Sequence, residues 1–303
     1  MTTLAGRCGA AACGLLLDRL AGEPPADAHP VAWFGRIMER LEERLWADRK
    51  GQGIVYAACG LVLGLLAGRL MRSVTTATAV TVAGRELRRV ARRAGEAAAA
   101  GDLPRAREEL PALVGRDPSG LDASGVAAAV IESVAENSVD AVVAPAFWAV
   151  VAGAPGALAY RAINTMDAMV GHRNERYGRF GWAAARLDDV VNYLPARIFA
   201  ALVAAVAPKR AGTVLETVRR DASAHPSPNA GVAESAMAGA LGRQLGGPLR
   251  YGPRPENRPL LGIGPRPTPV DVARAVELAD RVERILLAVL GLAWLLGARR
   301  GSR

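Results

Sequence analysis

Residues 131–178, "IESVAENSVDAVVAPAFWAVVAGAPGALAYRAINTMDAMVGHRNERYG", constrain the fold more than any other stretch. Glu132, Glu136 and Asp140 precede an uncharged run, Ala141–Tyr160, and Asp167 follows it. Steps of four residues put the first three carboxylates on one helix face. An acid cluster beside apolar surface is costly unless something compensates it. One straight helix from Glu132 to Asp167 would be about 50 Å long, and its polar ends would share nothing. The Gly153-Ala154-Pro155-Gly156 punctuation instead predicts a reversal into an antiparallel helical hairpin. Asp140 then lies level with Asp167, and Glu136 level with Gly171 and His172.

Apolar segments recur near 4–20, 54–71, 141–160, 190–207 and 282–298. A spanning helix needs roughly 20 apolar residues, which only 141–160 clearly reaches. The first run has no A-x-A-like cleavage site after it and reads as a retained segment. With 51% hydrophobic but only 5% aromatic residues in 303, the apolar content is small and aliphatic, which favours helices. The expected fold is therefore all-α: one multi-pass helical membrane domain, 1–303, whose helical hairpins gather polar motif loops around one site. Residues 21–53 read as a loop plus an amphipathic helix with Trp33, Ile37, Leu41 and Leu45 on one side. Residues 84–140 and 208–281 are mainly polar. The Arg85, Arg88, Arg89, Arg92 and Arg93 face reads as solvated, and Gly247–Pro269 as an irregular Pro/Gly-rich tail. A second hairpin, turning near Pro208, would bring Asp188, Asp189 and Asn192 towards His225 and Asn229.

The net charge of +9 comes almost wholly from arginine, since Lys50 and Lys209 are the only lysines. That suits phosphate or headgroup contacts. No zinc spacing or aromatic-laced basic groove points to nucleic acid. Cys8, Cys13 and Cys59 lie in apolar stretches with no C-x-x-C pair and read as buried, inert thiols. The chain has no phosphate-cradling G-x-x-x-x-G-K-[ST] loop, G-x-S-x-G elbow or H-E-x-x-H pair.

What remains is carboxylates, amides and arginines. Glu136, Asp140, Asp167 and Asp188 are hard-oxygen donors suited to Mg²⁺ bridging to phosphates. Arginines beside them can take phosphate charge by bidentate bonding. Each residue also has a bland reading: Glu132 and Glu136 as a solvated face, Asp188 as a partner of Arg186 or Arg197, His172 and His225 as structural hydrogen-bonders.

The ordered motifs "VGRDPSGL", "ESVAENSVDAVVAPAFW", "AYRAINTMDAMVGHRNERYGRFG", "ARLDDVVNYLPARI" and "HPSPNAGVAESAMAGALGRQLGG", preceded by "GEPPADAHPVAWFGR", resemble the CobD/CbiB family of cobalamin biosynthesis over nearly the whole chain. The resemblance implies a multi-pass enzyme of the cell membrane, an adenosylcobinamide-phosphate synthase. It joins (R)-1-aminopropan-2-ol or its O-phosphate to the f-side-chain carboxylate of adenosylcobyric acid. Asp117, Tyr177 and Glu234 match family motifs too. His172 and Arg173 stand where the family commonly has Tyr and Lys, and Glu23 where it usually has Asp.

On this reading Glu132, Glu136, Asp140, Asp167, Asp188 and Asp189 form the catalytic set. Asn137, Asn164, His172, Arg173, Arg176, Asn192, Arg197, His225, Ser227 and Asn229 bind substrate. Mg²⁺ and ATP are the expected cofactors. The expected partners are a corrinoid, aminopropanol or its phosphate, the lipid bilayer and other membrane enzymes of the pathway. Two other classes fit the pattern: a Mg²⁺-dependent membrane transferase acting on a diphosphate lipid, and an AmpE-like membrane sensor.

Overall fold

The computed structural model describes residues 3–25, 27, 29–115, 117–172, 174–251 and 254–301, and of 248–251, 254–257, 300 and 301 the backbone alone. It is overwhelmingly helical, as the composition predicts. The elements are α1 (Leu4–Ala21), α2 (Pro30–Leu45), α3 (Lys50–Met71), α4 (Val74–Ala79), α5 (Gly84–Ala99), α6 (Leu103–Glu109), α7 (Ala123–Ser138), α8 (Ala144–Val170), α9 (Trp182–Val191), α10 (Tyr193–Val206), α11 (Ala211–Asp221), α12 (Ala230–Leu241), β1 (Leu245–Tyr251), β2 (Arg254–Leu261) and α13 (Pro269–Gly301). They pack as two compact units. The first comprises residues 1–83, 140–192 and 287–303, and the second 84–139 and 193–286.

In the first unit α3 carries the seam. Its buried side is Gly53, Tyr56, Ala57, Gly60, Gly64 and Gly68, while Ile54, Val55, Val62, Leu63, Leu66 and Leu70 are exposed. A helix that buries glycine and exposes leucine is built for apolar surroundings, where close backbone approach, rather than burial of large side chains, holds helices together. The glycines meet α8. A Cβ on Gly64 would come 2.9 Å from the Leu158 carbonyl oxygen, and one on Gly68 2.4 Å from Pro155 Cα.

Lys50–Met71 and the stretch Ala123–Val170 are long and apolar enough to cross a membrane, and α9 with α10 adds a third if that broken pair counts as one span. Exposed Leu16, Leu17 and Leu20 on α1, and Leu292, Trp294, Leu295 and Leu296 on α13, extend the apolar surface of the first unit.

The reversal expected at Gly153 is present. Gly153 adopts φ +69°, ψ −156°, a conformation that L side chains rarely enter, and it divides α8 into two arms. The Tyr160 hydroxyl consequently reaches within 3.3 Å of the Asp140 carbonyl oxygen, twenty residues back; a straight helix would separate them by about 30 Å. Upstream, Val139–Val143 is a π-helical turn. Such a turn displaces the regular i→i−4 bonds, and the Ala141 carbonyl accepts the Ala83 N–H at 2.9 Å.

Two expectations for this unit need correction. Helix α2 forms as expected, with His29 as its N-cap and Pro30 opening it, but its inner face is Met38, Glu42 and the flanking Phe34, Leu41 and Leu45, packed on Tyr56, Met166 and Phe180. Trp33 and Ile37 are exposed. The stripe is turned because the loop ending α8 supplies polar partners for Glu42. Of the cysteines, only Cys8 is buried; Cys13 is exposed and Cys59 half-buried, because the apolar surface around them is itself exposed.

The second unit is organised around α12, every residue of which is buried. It packs against α7, α10 and α11. The stretch read as an irregular tail forms an antiparallel β-hairpin, with Leu245 opposite Leu261 and Gly247 opposite Arg258. The Arg-rich face of α5 is only partly solvated. Arg88 is buried, ion-paired with buried Glu283 and 3.6 Å from Asp280, whereas Arg89 pairs with Glu86 on the surface. Helix α13 starts with a capping-box arrangement, in which Asp271 reaches back to the Thr268 N–H at 2.9 Å.

Candidate active site

The first unit encloses a connected set of polar side chains on its apolar helices. Asp188 and Asn192 are four residues apart at the end of α9, hence on one face, and Asn192 Nδ2 donates to Asp188 Oδ2 at 3.0 Å. Asn164, on the second arm of α8, donates to Asp188 Oδ1 at 3.4 Å. One turn earlier, Arg161 Nη1 reaches Asn164 Oδ1 at 3.4 Å. The Tyr160 hydroxyl donates to buried Asn192 Oδ1 at 3.0 Å and lies 3.4 Å from Asp140 Oδ1. Trp148, on the first arm, donates its indole N–H to the Val191 carbonyl at 3.0 Å and so ties the end of α9 to α8. Asp140, Asn164, Asp188 and Asn192 are therefore assembled into one network, with Tyr160 as the bridge.

Asp189, next along α9, pairs with Arg186 at 3.2 Å; the bland pairing considered for Asp188 belongs to its neighbour. The Asp167 carboxylate lies against Gly171, where a Cβ would stand 1.9 Å from Asp167 Oδ1, so that turn requires glycine. His172 is exposed, and Arg173 lies outside the described residues. Arg176 and the Tyr177 hydroxyl both engage Glu42 Oε1, at 2.9 and 2.8 Å, and Arg176 stacks over the Trp46 ring. Burial, then Glu42 beside it, raise the Tyr177 phenol above its ordinary pKa, so it acts as a neutral donor. This clamp fixes the loop after α8 to α2.

The second unit holds the remaining predicted residues. Glu132 is buried in α7 and accepts the Gly246 N–H at 2.8 Å. Glu136 is exposed, and Asn137 donates to the Ser133 carbonyl at 3.0 Å. Arg197 Nη1 donates to Asn229 Oδ1 at 3.2 Å, which ties α10 to the loop before α12; the residues expected there, Asp188 and Asn192, find their partners in the first unit instead. The Ser227 hydroxyl accepts the Ala230 N–H at 3.2 Å at the start of α12. His225 Nδ1 accepts the Ser227 N–H at 3.0 Å, while its Nε2 lies 3.7 Å from Glu234 and beside Arg258. Among the described residues, no three His, Cys, Asp or Glu side chains are gathered as a metal-binding group.

Sequence reasoning overlooked His29, Glu42, Tyr160, Arg161 and Arg258. The spacing of Arg161 from Asn164, one helical turn, was the available signal. Reading Tyr160 as the end of an apolar run hid it.

Residues 11–279 match the family described as CobD/Cbib protein. The chain belongs to the CobD/Cbib family. It is 46% identical over 283 residues to the "Cobalamin biosynthesis protein CobD" of Mycobacterium tuberculosis (strain CDC 1551 / Oshkosh), covering 89% of this chain and 90% of that one. It is 44% identical over 284 residues to the protein of the same name from Rhodobacter capsulatus, covering 87% and 88%, and 45% identical over 284 residues to that of Chromobacterium violaceum, covering 88% and 90%. No solved structure matches. A match to these CobD/Cbib relatives over about nine-tenths of each chain favours neither the diphosphate-lipid transferase nor the AmpE-like sensor.

Proposed function

We infer that this chain acts in cobalamin biosynthesis as a multi-pass enzyme of the cell membrane. It joins aminopropanol or its O-phosphate to the f-side-chain carboxylate of adenosylcobyric acid, with ATP activating the acid. The observation that carries the reading is the match to CobD proteins over about nine-tenths of both chains. The Asp140–Tyr160–Asn192–Asp188–Asn164 network is the part of the structure best suited to the chemistry.

Amide formation from a carboxylate needs an activated acyl group and an unprotonated amine. In the simplest route the carboxylate attacks the terminal phosphorus of ATP, giving an acyl phosphate and ADP. The amine nitrogen then attacks the acyl carbon, phosphate leaves, and the nitrogen gives up a proton to a base. Asn164 and Asn192 each spend a side-chain N–H on Asp188, which fixes its carboxylate as an acceptor facing the amine. Asp189, one residue on and held by Arg186, is the base for the proton. Mg²⁺ usually takes one or two protein carboxylates plus phosphate oxygens, a set that Asp188 and Asp140 with the neighbouring amide oxygens fit; bound there it would neutralise nucleotide phosphate charge.

The test uses membranes containing the full chain, adenosylcobyric acid, aminopropanol phosphate and Mg-ATP. Adenosylcobinamide phosphate should form, with phosphate release requiring both organic substrates. Normal expression without corrinoid turnover would overturn the assignment.

A further inference from the structure

Among the described residues, two buried donors, one at the start of α2 and one beside this network, have no acceptor. His29 is 8% exposed. Its Nδ1 accepts the Val31 N–H at 3.2 Å as the N-cap of α2. A neutral imidazole whose Nδ1 accepts carries its proton on Nε2, and that nitrogen is buried with no hydrogen-bond partner. Arg161 Nε is buried and unpartnered in the same way. Among the described residues its guanidinium reaches one amide oxygen, that of Asn164. The nearby carboxylate, Asp188, accepts from Asn164 and Asn192 instead.

The two groups lie on elements that pack together, His29 at the start of α2 and Arg161 on α8. Burial, and then the Arg161 charge, hold the His29 imidazole below its ordinary pKa, so the pair presents one fixed positive charge and one neutral N–H rather than two repelling cations. Buried N–H groups left without an acceptor are rare because they forfeit their hydration. Two together, one of them cationic, require an anionic acceptor.

We propose that His29 and Arg161 form a phosphate-binding subsite, in which the Arg161 Nε–H and Nη–H fork and the His29 Nε2–H converge on one phosphate group. Three donors match a group with at least three acceptor oxygens better than a two-oxygen carboxylate. That the phosphate is the substrate's own rests on the function inferred above; binding itself is measured without turnover.

The experiment titrates inorganic phosphate against the full-length chain purified in dodecyl maltoside, following the unfolding temperature at constant ionic strength. Phosphate should raise it saturably where chloride does not. Arg161→Gln should weaken phosphate binding about tenfold or more, as expected for loss of a charge-assisted contact. His29→Asn is the sharper variant: asparagine retains the helix cap but is too short to place a donor at the Nε2 position, so affinity should fall with little change in the phosphate-free unfolding temperature. If Arg161→Gln does not fold, Arg161→Lys keeps the charge without the fork and should also weaken binding.

The same titration in nanodiscs identifies the source. A phosphate response present in glycolipid discs but abolished in phosphatidylglycerol discs assigns the subsite to a lipid headgroup phosphate; a response in both assigns it to a soluble phosphate. An undiminished response in His29→Asn and Arg161→Lys, or no saturable response in the parent chain, overturns the proposal. Phosphate binding that depends on both residues in a chain inactive on corrinoids would leave the subsite standing and remove only the proposed reaction.

Discussion

The two units solve burial in opposite ways. In the first, α3 buries glycines and leaves its leucines and valines exposed, and its polar side chains form a network inside. In the second, α12 is buried on every side, charge is paired at the core edge by Arg88 with Glu283 and by Asp271 with Arg243 and Arg274, and further ion pairs decorate the surface. The exposed face of the first unit suits a surrounding that cannot hydrate charge, and the charged faces of the second one that can. One chain therefore carries an apolar-facing half that holds the amide and carboxylate network, and a half whose charged faces, on α5, α6 and the start of α13, are water-facing.

The comparison breaks most visibly at Gly68. A Cβ there would stand 2.4 Å from Pro155 Cα and 2.6 Å from the Ala154 carbonyl oxygen, both backbone atoms. Gly68→Val should lower stability by about 3 kcal/mol or more, at the upper end for overpacking, and abolish turnover, as read by thermal unfolding in detergent and a corrinoid assay. Next comes Asp188→Asn, which keeps the shape but replaces an acceptor by an amide facing two amides. We expect turnover to fall about a hundredfold, far more than the cost of about 1–3 kcal/mol in stability for the amide N–H that loses its acceptor would remove from a folded chain. A variant with full turnover would show that the network is scaffolding.

The third prediction belongs to the water-facing half. Burial would raise the Asp271 carboxyl, but hydrogen bonds from Arg243, Thr268 and Arg274 outweigh it and hold the pKa at about 2. A carboxylate depressed from its ordinary value near 4 contributes stability fully above that value and loses it as pH falls towards about 2. Asp271→Asn should cost about 2 kcal/mol at neutral pH, the scale for hydrogen bonds to a charged group. The deficit relative to the parent should shrink between about pH 4 and pH 2, which acid titration of both proteins would show.

Sequence alone located the first unit's main device, because Gly-Ala-Pro-Gly in an apolar run leaves a helix little choice, and Gly153 takes the turn. It placed the acids on helices but did not see which partners claimed them. Glu132 is taken by a backbone N–H 114 residues away, and Arg88 by an acid 195 residues away; such pairings have no local signature. The β-hairpin escaped because Gly246, Gly247 and the surrounding prolines read as loop, while its core anchors amount to Leu245 and Leu261. Helix α2 was found, but its face was misjudged, since Glu42 is buried only because Arg176 and Tyr177 meet it. His29, in the Pro-rich loop before α2, carried no sequence sign of being a buried donor.

The smallest expected effect sharpens the contrast furthest, because it separates the two halves by salt. Arg93 and Glu109 join α5 to α6 at 2.7 Å, with side chains 43% and 20% exposed. A pair so open to water contributes about 0.5 kcal/mol and is screened within about 3 Å at 1 M salt. Arg93→Ala should therefore lower the unfolding temperature slightly in dilute buffer and not at all in 1 M sodium chloride. The Gly68→Val deficit, which is steric, should be the same in both. If salt erased the Gly68 effect or left the Arg93 effect intact, the division into an apolar-facing and a water-facing unit would have the wrong physical basis, since only the charge pair depends on the dielectric and ions around it.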